Sequence, residues 1–315
     1  MTLLGLGLGI GLLGMELGLR LFFPDMVVAA GAQLKFHAGE QTNFEPDPEC
    51  GYIPVLGNQT YDAYGCRVDR YDQKGKRLPD LDPADRHGRK RLLFLGDSVT
   101  RRERIQDALE KAYGETRYEY WNAGVESFNT MQELVFYRRV NSKLKPEQVI
   151  LTFHNNDFQD TPLVFKKDGE LQIHFMRRDG NHINPWLFSH SYLYRWLTGL
   201  SLGNLDRHRQ RQAVKEALAG FQAITKAEKV NFSVILLPIL KPYAQWTNKE
   251  KWSRENALQL LKEQQITTYD LLPDMERAVK EGVILPEAPG DTWHPSPAAA
   301  EHFARYLVTQ KIIKD

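Results

Sequence analysis

The spacing of hydrophobic positions changes several times along this chain, and each change marks an element. Residues 2–23 are almost wholly Leu, Gly, Ile, Met and Phe, broken by Glu16 and Arg20. As a helix, at about 1.5 Å per residue, this run is roughly 33 Å long, enough to cross a bilayer. Glu16 and Arg20 stand four apart and can pair on one face. A transmembrane anchor, a signal peptide cleaved near Ala30-Gly31-Ala32 and a buried core helix all remain open, and the anchor is the leading expectation. The run has no polar face, which argues against a core helix, and no basic segment before it to orient it across a membrane.

Residues 24–90 are turn-rich, with short strand-like pieces at 51–54 and 61–65 and a charged, Pro-containing connection at 80–90. From Arg91 the pattern alternates. Runs at 92–95, 118–122, 149–153, 232–237 and 266–269 read as strands, and the continuous apolar run 149–153 is of the kind buried on both faces. Helical periodicity follows Ser98, with Ile105, Ala108, Leu109 and Ala112 in phase. Further helices are predicted near 130–140, 185–200, 209–229 and 252–264. Thr130-Met131-Gln132-Glu133 is a capping-box sequence, and Ser296-Pro297 opens a last helix to about 309. A hairpin is predicted around Lys167-Asp168-Gly169. Strand–helix alternation implies right-handed crossovers and a parallel sheet with helices on both sides. The expected fold class is therefore α/β: a flavodoxin-like three-layer α/β/α arrangement on a five-stranded parallel sheet, behind an amino-terminal transmembrane or signal helix. The expected divisions are 1–24 for that segment, 25–90 for an extension and 91–315 for the main domain.

With 41 basic and 40 acidic side chains the formal net charge is +1, so no broad electrostatic footprint for nucleic acid is present. The two cysteines, Cys50 and Cys66, have no Cys/His grouping of metal-site spacing around them. They are two free thiols or one disulfide, and a bridge is expected if the body lies outside the cytoplasm. No ligand spacing for a metal or an organic cofactor is found.

The candidate chemistry sits after the strands. Arg91-Leu92-Leu93-Phe94-Leu95-Gly96-Asp97-Ser98 is a buried strand ending in a tight turn, with Ser98 at the carboxyl edge where ligands bind open α/β sheets. Taken alone, Ser98 is a helix cap as readily as a nucleophile. Later loops bring Gly124, Asn156 and then Asp291-Thr292-Trp293-His294 to the same edge. A serine nucleophile needs a base, a histidine supplies one, and an adjacent carboxylate fixes its tautomer. Asp291, three residues before His294, is placed for that task.

This ordered set resembles the SGNH hydrolase superfamily, the GDSL esterases and lipases. Gly96-Asp97-Ser98, Asn122-Ala123-Gly124, Asn156-Asp157 and Asp291-x-x-His294 match its four blocks, over a stretch running from about Arg91 to the carboxyl terminus. The amino-terminal run and Gly51-Tyr52 resemble, less specifically, its membrane-tethered bacterial members. The resemblance implies Ser98, Asp291 and His294 as catalytic triad, and the backbone N–H of Ser98, that of Gly124 and the side chain of Asn156 as oxyanion donors. It implies a serine ester hydrolase acting on acylated small molecules or glycans of the envelope or exterior. Acyl transfer to an envelope polysaccharide and a silent glycan-binding module are the alternatives. Two departures stand out: His154 replaces the glycine that usually opens the third block, and Arg101-Arg102 follow the nucleophile, where they could meet an anionic substrate or lie solvated on a helix. Trp293 and Phe153 are candidates to line the pocket, or to be core.

Overall fold

The computed structural model describes residues 2–22, 43–68, 81–86, 88–167, 170–176, 187, 190–201 and 207–314. The chain divides into two compact units, one comprising 1–53 and 160–210, the other 54–159 and 211–315.

In the first unit, helix α1 (Thr2–Phe22) is joined by strands β1 (Phe44–Asp47) and β2 (Gly51–Pro54), which form a two-stranded sheet. The predicted hairpin is present as antiparallel β6 (Pro162–Lys167) and β7 (Glu170–Met176), although Asp168 and Gly169 of its turn lie outside the described residues. Helix α5 spans Tyr192–Ser201. Among the described residues no helix is long and apolar enough to cross a membrane, so the expected transmembrane span is not found. Glu16 is engaged by α5. Its carboxylate accepts from Ser191 Oγ at 2.9 Å and from the N–H groups of Tyr192 and Leu193 at 3.0 and 2.8 Å. A charge that is costly in a bilayer thus caps the first turn of α5. Burial works to raise the Glu16 pKa, but these donors and the Arg20 guanidinium at 2.7 Å outweigh it and bring it down to about 2. Ala30-Gly31-Ala32 lies outside the described residues.

The second unit is built on a parallel sheet of β3 (Lys90–Gly96), β4 (Tyr118–Gly124), β5 (Gln148–Phe153), β8 (Asn231–Leu236) and β9 (Thr267–Asp270), in the order β4-β3-β5-β8-β9. Counted within the sheet this is 2-1-3-4-5, the flavodoxin-like order, whose switch point lies between β3 and β5. The pleat of β3 explains the layers. Leu92 and Phe94 face one cluster with Ala108, Leu109, Met275 and Phe303, while Leu93 and Leu95 face another with Tyr137, Leu218, Phe221 and Leu260. Helices α3 (Arg104–Tyr113), α8 (Leu272–Lys280) and α9 (Pro297–Thr309) cover the first face. Helices α4 (Thr130–Arg139), α6 (Arg207–Glu228) and α7 (Asn248–Glu263) cover the second.

Three local readings change. The helix after Ser98 is two helices, α2 (Ser98–Arg101) and α3, separated where Glu103 takes a left-handed φ of 62°. Ala112 is exposed, and the apolar stripe runs from Ile105, Ala108 and Leu109 to Tyr113 instead. The capping box of α4 starts one residue earlier than predicted: Asn129 Oδ1 accepts from Met131 and Gln132 N–H, and Thr130 Oγ1 donates to Asp157 instead, at 2.6 Å. Helix α8 was not predicted at all. Cys50 and Cys66 are both buried free thiols, one in each unit, so the bridge expected for an extracytoplasmic body is not formed.

Candidate active site

Strand β3 ends on a turn that only glycine can make. Gly96 has φ +152°, and a Cβ there would stand 2.2 Å from Thr100 Oγ1. The next residue, Asp97, caps α2 by accepting from Val99 N–H at 2.9 Å, and this fixes Ser98 as the first residue of the helix at the sheet's carboxyl edge.

The loop after α8 reaches the same edge. It is held by a bridge between Pro286 and Pro295 and by hydrogen bonds from Leu240 N–H to Thr292 O and from Glu287 N–H to His294 O, both 2.9 Å. Glu287 ties it to the start of α3 through Arg104 at 2.8 Å and pairs with Arg102 as well. Ser296 then caps α9, accepting from Ala299 N–H at 3.1 Å as its sequence predicts. Ser98, His294 and Asp291 are thereby brought together. His294 Nε2 lies 2.9 Å from Ser98 Oγ, and its Nδ1 lies 2.8 Å from Asp291 Oδ2. Asp291 Oδ1 accepts from the N–H groups of Trp293 and His294 at 2.8 and 3.1 Å. Burial pushes the Asp291 pKa upward, but those two N–H groups and the imidazole hold it below the ordinary carboxylate value. A serine hydroxyl, a ring nitrogen and an orienting carboxylate within hydrogen-bond reach of one another form a relay able to deprotonate the hydroxyl as it attacks.

Asn156 sits beyond β5, across the switch point. Its Nδ2 donates to Asp97 Oδ2 at 2.7 Å and reaches the Phe128 carbonyl only at 3.5 Å. Asp97 therefore does more than cap: one carboxylate joins the Ser98 turn to the Asn156 loop. The Gly-Asp-Ser block contained this signal, although Asp97 reads there as ordinary turn chemistry. Burial raises the Asp97 pKa against the pull of Val99 N–H and Asn156. Burial also raises Glu133 and Asp157 behind it, which stand close enough to oppose each other's charge.

Gly124 lies at the same edge with a different job from the one expected. Its N–H donates to Asn122 Oδ1 at 2.8 Å, so the backbone donor assigned to an oxyanion is already engaged. The missing Cβ makes room for the α2 backbone: a Cβ would stand 2.3 Å from Arg101 N. Asn122 completes that contact, donating from Nδ2 to Thr100 O at 2.7 Å.

The arginines after Ser98 face acids of the chain itself, Arg101 with Glu126 at 3.3 Å and Arg102 with Glu287. Phe153 is core, 1% exposed. Trp293 is 37% exposed and leans on the buried His154 ring, with centroids 4.5 Å apart.

No family model matches this chain, and no curated protein matches it. Among solved structures it is similar to an acetylxylan esterase from Geobacillus stearothermophilus, with 16% identity, a TM-score of 0.46 and coverage of 71% of this chain and 95% of that one. A lipolytic protein of the G-D-S-L family from Desulfitobacterium hafniense gives 14% identity, a TM-score of 0.44 and coverage of 70% and 98%. A GDSL-like lipase from Bacteroides thetaiotaomicron gives 16% identity, a TM-score of 0.42 and coverage of 74% and 93%.

Proposed function

We propose that this protein is a serine ester hydrolase, with Ser98 as nucleophile, His294 as general base and acid, and Asp291 as the group that orients the imidazole. The observation that carries this reading is the continuous Ser98 Oγ–His294–Asp291 relay, with contacts of 2.9 and 2.8 Å, at the carboxyl edge of the sheet. Ser98 Oγ attacks the acyl carbon while its proton passes to His294 Nε2. The tetrahedral oxyanion collapses, the leaving alcohol takes the proton from His294, and an acyl-Ser98 ester remains. Water, deprotonated by His294, then attacks that ester; collapse releases the carboxylic acid and returns the proton to Ser98 Oγ. Two donors serve the oxyanion. One is the backbone N–H of Ser98, which as the first residue of α2 has no intrahelical acceptor. The other is the Asn156 carboxamide, whose second N–H has only the 3.5 Å contact to Phe128 O to hold it.

The substrate class in this reading is an acyl ester of an envelope or extracellular small molecule or glycan, with the catalytic unit outside the cytoplasm. The test is hydrolysis of a series of short acyl esters by wild type and Ser98→Ala. Release of acid that disappears in the variant supports the assignment, and no release by wild type overturns it. Release that falls as product forms on an added sugar alcohol would assign the acyl-enzyme to transfer instead of hydrolysis.

A further inference from the structure

The third block carries its largest departure at His154. The side chain is 1% exposed, and neither ring nitrogen makes a well-formed hydrogen bond. Orphaned buried nitrogens on a ring this size are costly and call for a reason. Backbone hydrogen bonding fixes the residue: its N–H donates to Asp157 Oδ2 at 2.5 Å, the same carboxylate that accepts from Thr130. Trp293 closes one side of the ring. The Pro238 carbonyl and the Asn156 side chain lie beside it, and His294 is near enough that a second positive charge would be repelled. Burial, reinforced by His294, pushes the His154 pKa down to about 3, so the ring is neutral in neutral solution and carries one N–H. Asn156 has the complementary deficit: its Oδ1 is buried and also lacks a partner. The single ring N–H thus has two acceptors beside it, the Pro238 carbonyl and the unpartnered Asn156 Oδ1, the latter on the carboxamide that stands over the Ser98 turn.

Resting on the esterase reading above, we propose that His154 is a positioning residue that donates its ring N–H to Asn156 Oδ1 and so aims the Asn156 amide at the oxyanion. The polar pair closes as negative charge develops at the reacting carbonyl oxygen. The developing charge draws Nδ2 forward, and the His154 donor polarises the same amide from behind. The contribution therefore belongs to the transition state and not to substrate binding.

The experiment is a double-mutant cycle on ester hydrolysis with His154→Phe, which keeps a ring against Trp293 but removes the donor, His154→Gln, which restores a donor, and Asn156→Ala. Circular dichroism and thermal melts confirm that each variant is folded. The expected result is a tenfold or greater fall in kcat for His154→Phe with KM within twofold, substantial recovery in His154→Gln, and no further loss when His154→Phe is added to Asn156→Ala. Independent, multiplicative losses in the cycle, or a loss that appears only in KM, overturn the role of His154. If His154→Phe does not fold, the Gln variant decides alone: near-wild-type kcat is expected, and a loss equal to that of Asn156→Ala overturns the proposal. A wild type without Ser98-dependent hydrolysis overturns the esterase reading and this one with it, whereas an active wild type with multiplicative losses overturns this one only.

Discussion

Among its described residues the second unit contains two histidine–aspartate pairs that are alike in their inner contact and unlike in everything that follows from it. His294 Nδ1 lies 2.8 Å from Asp291 Oδ2, and His302 Nδ1 lies 2.8 Å from Asp274 Oδ2. The difference is at the other ring nitrogen. For His294 it faces the Ser98 hydroxyl at 2.9 Å, at a sheet edge where Trp293 is partly open to solvent. For His302 it faces a second carboxylate, Glu281 Oε2, at 3.2 Å, between α9 and the end of α8. A carboxylate beside an imidazole fixes its orientation wherever it occurs. A base requires something to deprotonate, at a place a substrate can reach. The first pair has both; the second ties one helix to another.

The largest expected separation between the pairs is in turnover. Ser98→Ala and His294→Ala should each lower kcat for ester hydrolysis about 10⁴- to 10⁶-fold, as loss of a triad member does. His302→Ala should leave kcat within about twofold but cost on the order of 3 kcal/mol in a denaturant melt, because it strips a partner from the buried Asp274 carboxylate. Asp291→Asn should cost about 10⁴-fold in kcat by favouring the wrong tautomer of His294, while Asp274→Asn changes stability alone. Steady-state kinetics with parallel urea melts checks all five. If the two histidine variants lose similar activity, the distinction between the pairs fails.

The sequence made the first pair legible and left the second unseen, for a physical reason. Asp291 and His294 lie three apart in one loop, after a strand–helix pattern that assigns them to the same edge as Ser98. Asp274 and His302 are 28 residues apart on two helices, one of which, α8, was not predicted. Helix α8 is only nine residues long, with Met275 and Ala278 as its buried apolar positions, although Pro273 in its first turn is a helix-start signal. Strands β3, β5 and β8 were readable from their apolar runs, and β4 and β9, which carry Glu119 and Asn122 or Thr267, Thr268 and Asp270, from the strand–helix alternation; their order puts Ser98 and Asn156 on either side of the switch point. Less was readable in short-range polar chemistry. Asn129 in place of Thr130 as cap, Asn122 holding the Gly124 N–H and Glu16 capping α5 are each a single side chain choosing among several acceptors or donors. Only three-dimensional proximity decides such choices.

Two smaller effects sharpen the picture of the active edge. Asn156→Ala should lower kcat about 10²- to 10³-fold, the usual cost of one oxyanion donor, with Ser98 still reactive toward an irreversible probe at a reduced rate. Stability should also depend on pH through His154, whose folded pKa of about 3 lies below the value near 6.5 of an unfolded histidine. Between these two values the unfolded chain binds the extra proton, so this contribution is present above about pH 6.5 and is lost as the pH falls toward 3. The raised carboxyl groups of Asp97, Glu133 and Asp157 act in the opposite direction, which is why the comparison must be made against a variant. Relative to wild type, His154→Phe should lose about 2–3 kcal/mol less between pH 6.5 and 4.5, read from urea melts at the two pH values. Equal pH slopes would mean that His154 can be protonated in the folded protein.

The most direct test of the account is active-site labelling with a fluorophosphonate, followed by mapping of the modified peptide, in wild type, His294→Ala and His302→Ala. The expected result is one phosphonyl group per chain on Ser98 in wild type and in His302→Ala, and labelling slowed by several orders of magnitude in His294→Ala. Absence of labelling in folded wild type, or labelling of Ser98 as fast without His294 as with it, would contradict the claim that the Ser98–His294–Asp291 relay activates the serine.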